Sequence, residues 1–204
     1  MTKNKYSYKT IRSPSKEILF KEKKSKFYGY TFPLNHEDEV KPIIDELRTL
    51  HSSANHVCYA WQIGVEAIHY RANDDGEPNN SAGMPIYGQI QSFELTNVLI
   101  AVVRIFGGTK LGVGGLISAY KETAKIALEN SKIINKVLKT QIKLSFEYEE
   151  MDTVMRFIKK HQLDAISQNL HLNCEIILSI PKNKVQNILG LLKAYHKISV
   201  ETSA

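Results

Sequence analysis

Two hydrophobic periods alternate along this chain, and each change of period marks an element. Residues 17–32 alternate apolar and polar and are rich in Phe and Tyr, which predicts a strand or hairpin. Val40, Ile43, Ile44, Leu47 and Leu50 then recur at helical spacing behind a run of acids, with Asn35 as the expected N-cap and Pro42 in the first turns. Two strands follow, at 56–63 and 66–71, joined around Gly64. Residues 74–83 are polar and read as a loop. Residues 98–106 are apolar throughout except Arg104, the pattern of a strand buried on both faces. A helix is expected over 116–128, with Leu116, Ala119, Tyr120, Ala124, Ala127 and Leu128 on its buried side.

From about Val137 the pattern restarts. A strand at 140–148, a helix at 151–161, strands at 165–172 and 175–181, a helix at 184–195 and a short strand at 198–200 give the order β-α-β-β-α-β, which is the order of a ferredoxin-like plait. The fold class is therefore α+β, in two domains, 1–134 and 135–204.

Composition and charge narrow the function classes. At 204 residues, 43% hydrophobic and 24% charged, the chain resembles an ordinary globular protein. No apolar run approaches bilayer length, so no membrane partner is expected. Neither is a secretory signal, because no apolar stretch follows the basic start. Cys58 and Cys174 stand far apart and suit a reduced, cytoplasmic location. The net charge of +6 sits in residues 1–26, where nine basic side chains face only Glu17 and Glu22, which leaves the rest at −1. Such an arm can contact phosphate, but clusters of lysine are more often simply solvated, and it is separate in sequence from the loops that carry candidate chemistry.

Two such loops stand out. In the first, Gly107, Gly108, Gly112, Gly114 and Gly115 lie between a hydrophobic strand and a helix, flanked by Arg104 and Lys110. Such a loop can offer backbone N–H groups to an anion or serve simply as a tight strand–helix turn, and both readings stay open. It is neither a Walker A loop nor a dinucleotide fingerprint. The second loop places Asp74, Asp75 and Glu77 within four residues. Three carboxylates suit a metal or a general base, but the spacing is not that of a calcium loop, and Asp-Gly and Glu-Pro are turn dipeptides. In a strand at 56–63, His56 and Cys58 share a face, and a buried, inert thiol is the plain expectation for Cys58. Neither a zinc-deaminase pattern nor a Gly-x-Ser-x-Gly elbow occurs.

Taken in order, Lys24-Ser-Lys-Phe27, His56-Val-Cys58, Asp74-Asp-Gly-Glu-Pro78, Ala82-Gly-Met-Pro85 and the run from Arg104 to Leu116 resemble the YigZ/IMPACT family. The resemblance implies a first domain like the second domain of ribosomal protein S-five and a second like the last domain of elongation factor G. Its eukaryotic members are linked to translational control through an amino-acid-starvation kinase and carry a different partner-binding domain, so that activity does not carry over. The chain departs from the family pattern at Ser118, where an arginine is common, and at Asn79-Asn80, where a small pair is common.

These readings lead to a non-catalytic protein that binds RNA or the ribosome in the regulation of translation. Its binding residues would be His56, Asp74, Asp75, Glu77, Arg104, Gly107, Gly108, Lys110, Gly112, Gly114 and Gly115. No metal or cofactor is expected. One alternative is a metal-dependent hydrolase or phosphoryl-transfer enzyme using Asp74, Asp75 or Glu77. Another is a regulatory module that binds a protein through the second domain.

Overall fold

The computed structural model describes residues 6–202, so Lys3 and Lys5 of the basic arm lie outside the described residues. The chain divides into two compact units. One is Tyr8–Lys136, and the other takes 137–202 together with Tyr6 and Ser7.

The first unit is built on a five-stranded antiparallel sheet. In chain order its elements are β1 (Ser7–Ile11), β2 (Ile18–Glu22), β3 (Ser25–Pro33), α1 (Val40–Leu50), β4 (His56–Ile63), β5 (His69–Asn73), α2 (Gly83–Ser92), β6 (Val98–Ile105), α3 (Gly112–Glu129) and β7 (Ile133–Val137). The sheet order is β2-β3-β6-β4-β5, and β1 pairs with β7 in a separate two-stranded ribbon. The apolar run at 98–105 is the central strand, as a run buried on both faces must be. Val98, Ile100 and Val102 face a core shared with α2 and α3, while Leu99, Ala101 and Val103 face α1. Arg104 continues the first of these faces, and the register sets it between Phe27 on β3 and His56 on β4.

Several elements differ from the sequence expectation. The helix expected at 116–128 begins at Gly112, so the last three glycines of the loop form its first turn. The first helix is entered through a single turn at Glu37–Glu39 capped by His36 instead of Asn35; the Glu39 carboxylate accepts the His36 N–H at 3.1 Å. Helix α2 and strands β1 and β7 had no sequence expectation at all.

The second unit follows β8 (Lys139–Glu147), α4 (Met151–Lys160), β9 (Asp164–Leu170), β10 (Asn173–Pro181), α5 (Val185–Leu192) and β11 (Ser199–Thr202). Its sheet order, β11-β8-β10-β9, is antiparallel throughout and is that of the plait. Ile142, Leu144, Phe146, Ile176, Leu178 and Ile180 pack under Val154, Phe157, Ile188 and Leu192 of the two helices. No helix among the described residues is long and apolar enough to cross a membrane.

Candidate functional site

The three carboxylates of the acidic loop have three different fates. Asp74 Oδ1 accepts the N–H groups of Ala82 and Gly83 at 2.9 and 2.8 Å, and Oδ2 accepts that of Asn80 at 2.9 Å. It therefore caps α2 from nine residues upstream of Gly83, where no local side chain does so. Asp75 accepts the Val57 N–H and a bond from Arg48, each at 2.6 Å, and ties the loop to β4 and α1. Gly76, at φ +85°, then turns the chain so that Glu77 enters the core.

The Glu77 side chain is 4% exposed, and its Oε1 accepts from Arg104 Nη1 at 2.6 Å and from the Tyr120 hydroxyl at 2.8 Å. A buried carboxylate needs such partners, because leaving it unpaired costs several kcal/mol. His56 Nδ1 lies 2.8 Å from the Asp75 carbonyl oxygen, so it holds the proton and donates there. That leaves Nε2 as an acceptor in the neutral ring, 3.9 Å from Glu77 Oε1. The Cys58 thiol lies 3.0 Å from the Asp74 carbonyl oxygen and 3.3 Å from the Tyr120 hydroxyl, and its one proton serves one acceptor at a time. Burial pushes the thiol well above the ordinary range, with the nearby Glu77, Asp75 and Asp74 carboxylates adding to the rise and the Tyr120 hydrogen bond opposing it; burial likewise raises the Tyr120 phenol. Both groups stay protonated at neutral pH, and Cys58 is no nucleophile in this state.

The acidic and glycine loops meet at one cleft, of about 410 Å³, at the end of β6. Of the residues singled out from sequence, His56, Glu77, Arg104, Lys110 and Gly112 line it. Asp74 and Asp75 do not: Asp74 caps α2, and Asp75 ties the loop to β4 and α1. Among the described residues there is no cluster of three or more His, Cys, Asp or Glu side chains able to hold a metal ion. The glycines also separate by role. Gly107 is a packing glycine: a Cβ there would meet the Lys24 backbone at 2.1 Å. Gly115 would touch the Leu111 side chain at 3.0 Å, whereas Gly108, Gly112 and Gly114 would each place a Cβ in open space. Sequence reasoning missed Asn55, Pro78, Phe106, Leu111, Val113 and Leu116 of the lining. It also missed Tyr120 as a partner of Glu77; only its place on the buried side of a helix was legible.

The packing at Gly107 corrects the charge map. The tip of the β2–β3 hairpin lies directly against the glycine loop, and the Gly107 N–H donates to Ser25 Oγ at 3.1 Å. Lys21, Lys23, Lys24 and Lys26 are all exposed there. The hairpin that carries four of the nine basic residues of the arm thus packs its tip, at Lys24 and Ser25, against the loop from which the sequence separates it.

Comparisons with known proteins agree with the motif resemblance. The family model for the Impact N-terminal domain matches residues 23–128. An IMPACT family member of Haemophilus influenzae is 30% identical over 177 residues, covering 85% of this chain and 86% of that protein. The family member YigZ of Escherichia coli is 26% identical over 184 residues, covering 89% and 90%. A crystal structure described as that of a hypothetical protein superposes with a TM-score of 0.74 at 25% identity, covering 98% of this chain and 97% of the other.

Proposed function

The chain belongs to the IMPACT family, and from that premise we propose that it is a non-catalytic RNA-binding protein that acts on the ribosome in the regulation of translation. The observation that carries this reading is the placement of the lysine hairpin tip against the glycine loop. Glu22 pairs with Ser25 across the turn, so Lys23 and Lys24 form a two-residue connection. Their φ values are +43° and +68°, the left-handed region that a tight hairpin turn demands and that Asn-Gly fills without strain. Placing lysines there costs on the order of 1 kcal/mol each. With Lys21 and Lys26 flanking the turn, the end of the hairpin carries four exposed cations, and it packs against Gly107 in the loop that leads on to Lys110 and α3. Backbone phosphates are recognised by such a combination of lysines and helix N–H groups. The folds that the family resemblance implies, like domains of ribosomal protein S-five and elongation factor G, support the same partner. The Asp74 and Asp75 carboxylates are committed to backbone and Arg48, and Glu77 to Arg104 and Tyr120, which favours a binding role over a hydrolytic one.

Filter binding with structured RNA at several salt concentrations tests this. The logarithm of the binding constant falls linearly with the logarithm of salt. A Lys23→Ala/Lys24→Ala double variant lowers the slope by about 2, or about 1 for each phosphate that is no longer neutralised. Binding that is absent, or indifferent to salt, refutes it.

A further inference from the structure

The cleft at the end of β6 has two chemically different walls. One is cationic. Lys110 is exposed, and the first N–H groups of the 18-residue α3 have no side-chain cap. The other is apolar, with Phe106 and Val113 exposed beside Pro78. Arg104 lies in the lining as well, with its guanidinium carbon 5.5 Å from the centre of the Phe106 ring. Its side chain is 7% exposed, and its Nε is a buried polar atom with no hydrogen-bond partner. Glu77 satisfies only Nη1. A buried donor without an acceptor is costly, and because Arg104 is among the residues that line the cleft, an acceptor that reached this donor would relieve that cost.

Gly112 and Gly114 leave the start of α3 bare. Gly114 has no positive φ and no neighbour within reach of a Cβ, so neither backbone conformation nor packing within the protein calls for glycine there. A bare helix start does admit a phosphate close to the backbone. An inorganic anion would use only the cationic wall, and an apolar ligand only the other. A nucleotide uses both, with its phosphate on the helix N–H groups and Lys110 and its base on the Phe106 ring. The cleft volume lies at the lower end of the range for small-molecule sites.

We infer that this cleft binds a nucleoside monophosphate group, carried either by the end of an RNA strand or by a free mononucleotide; the first source rests on the RNA-binding reading. The test is fluorescence anisotropy with one short single-stranded RNA in three forms (5′-phosphorylated, 3′-phosphorylated and hydroxyl-ended), with AMP and inorganic phosphate as competitors. An end-phosphorylated strand binds about tenfold more tightly than the hydroxyl-ended one, the scale of one added charge-assisted hydrogen bond. Lys110→Ala and Phe106→Ala each abolish that preference, whereas Lys23→Ala/Lys24→Ala weakens all three strands alike. Tight AMP binding with no strand bound identifies the free nucleotide as the source and refutes the RNA-binding reading alone. Equal binding of all three strands with no AMP competition overturns the cleft assignment and leaves RNA binding intact. Competition by inorganic phosphate as strong as that by AMP, unaffected by Phe106→Ala, also overturns the assignment, because the apolar wall then has no part. An absence of all binding refutes both readings.

Discussion

Removing the Glu77 carboxylate should cost the first unit about 3–5 kcal/mol, the usual penalty for leaving one member of a buried ion pair alone. Glu77→Met strips the acceptor from Arg104 Nη1 and from the Tyr120 hydroxyl, and the guanidinium remains 7% exposed with no anion beside it. Arg104→Met does the reverse, leaving a carboxylate that is 4% exposed with only Tyr120 donating to it. In the double variant both charges are gone and two flexible apolar side chains fill the space. Its cost should fall to about 1–3 kcal/mol, dominated by the orphaned Tyr120 hydroxyl. The two single changes are therefore strongly non-additive, with a coupling of at least about 3 kcal/mol. Trp61 is the single tryptophan of the chain, is buried in this unit, and reports its unfolding by fluorescence. With a urea dependence of about 2 kcal/mol per molar, each single variant moves the midpoint down by about 1.5–2.5 M. Additive single costs, or a Glu77→Met cost below about 1 kcal/mol, would refute the description of a buried, mutually dependent pair.

Three further outcomes are expected. Asp74→Asn lowers the Trp61-monitored stability by about 1–2 kcal/mol without any metal present, because an amide offers one oxygen where three N–H groups converge; an unchanged midpoint would show that the carboxylate is no cap. Alkaline pH destabilises the first unit. The Cys58 thiol is raised in the folded state, so stability is full below the unfolded value of about 8.5 and declines above it by about 1.4 kcal/mol per pH unit. Tyr120 and Tyr30, also raised by burial, add to the decline above about pH 10. Cys58→Ala should move the onset from about 8.5 to about 10 in urea titrations across pH; an unmoved onset would contradict the assignment. Gly190→Ala, inside α5 where a Cβ meets nothing within 4 Å, raises the thermal midpoint of the second unit, with a gain of about 0.5–1 kcal/mol. Circular dichroism melting reads it, and a lower midpoint would refute the open-space geometry.

Elements whose stabilising partners are near in sequence, or whose burial is two-sided, were legible from the sequence. The run that forms β6 could only be a central strand, and the plait follows from its element order. Helix α2 was not legible, for two reasons. Its first residues, Gly83-Met84-Pro85, are poor helix signals, and its cap comes from Asp74 instead of a neighbouring Ser or Thr. Strands β1 and β7 lie more than a hundred residues apart and depend on each other for hydrogen bonds. Within the acidic loop, no local rule decides which of three carboxylates turns inward. The positive φ at Gly76 decides it, together with an arginine 27 residues beyond Glu77. The charge map failed for a related reason, since only the β3–β6 register carries the lysine turn to Gly107.

That register also separates two kinds of positive charge at the site. Arg104 is neutralised by Glu77, and its guanidinium sits against the Phe27 and Phe106 rings. Its main work is to hold the acidic loop, the central strand and α3 in one arrangement, and it brings little net field to the cleft. The field that an incoming anion meets comes instead from Lys110, the hairpin lysines and the uncapped start of α3, all at the surface and all screened by salt. Stability and binding should therefore respond to different residues. Changes at Glu77, Tyr120 or Arg104 unfold the first unit before they reveal any effect on a ligand. Changes at Lys23, Lys24 or Lys110 leave the core packing untouched and alter binding alone.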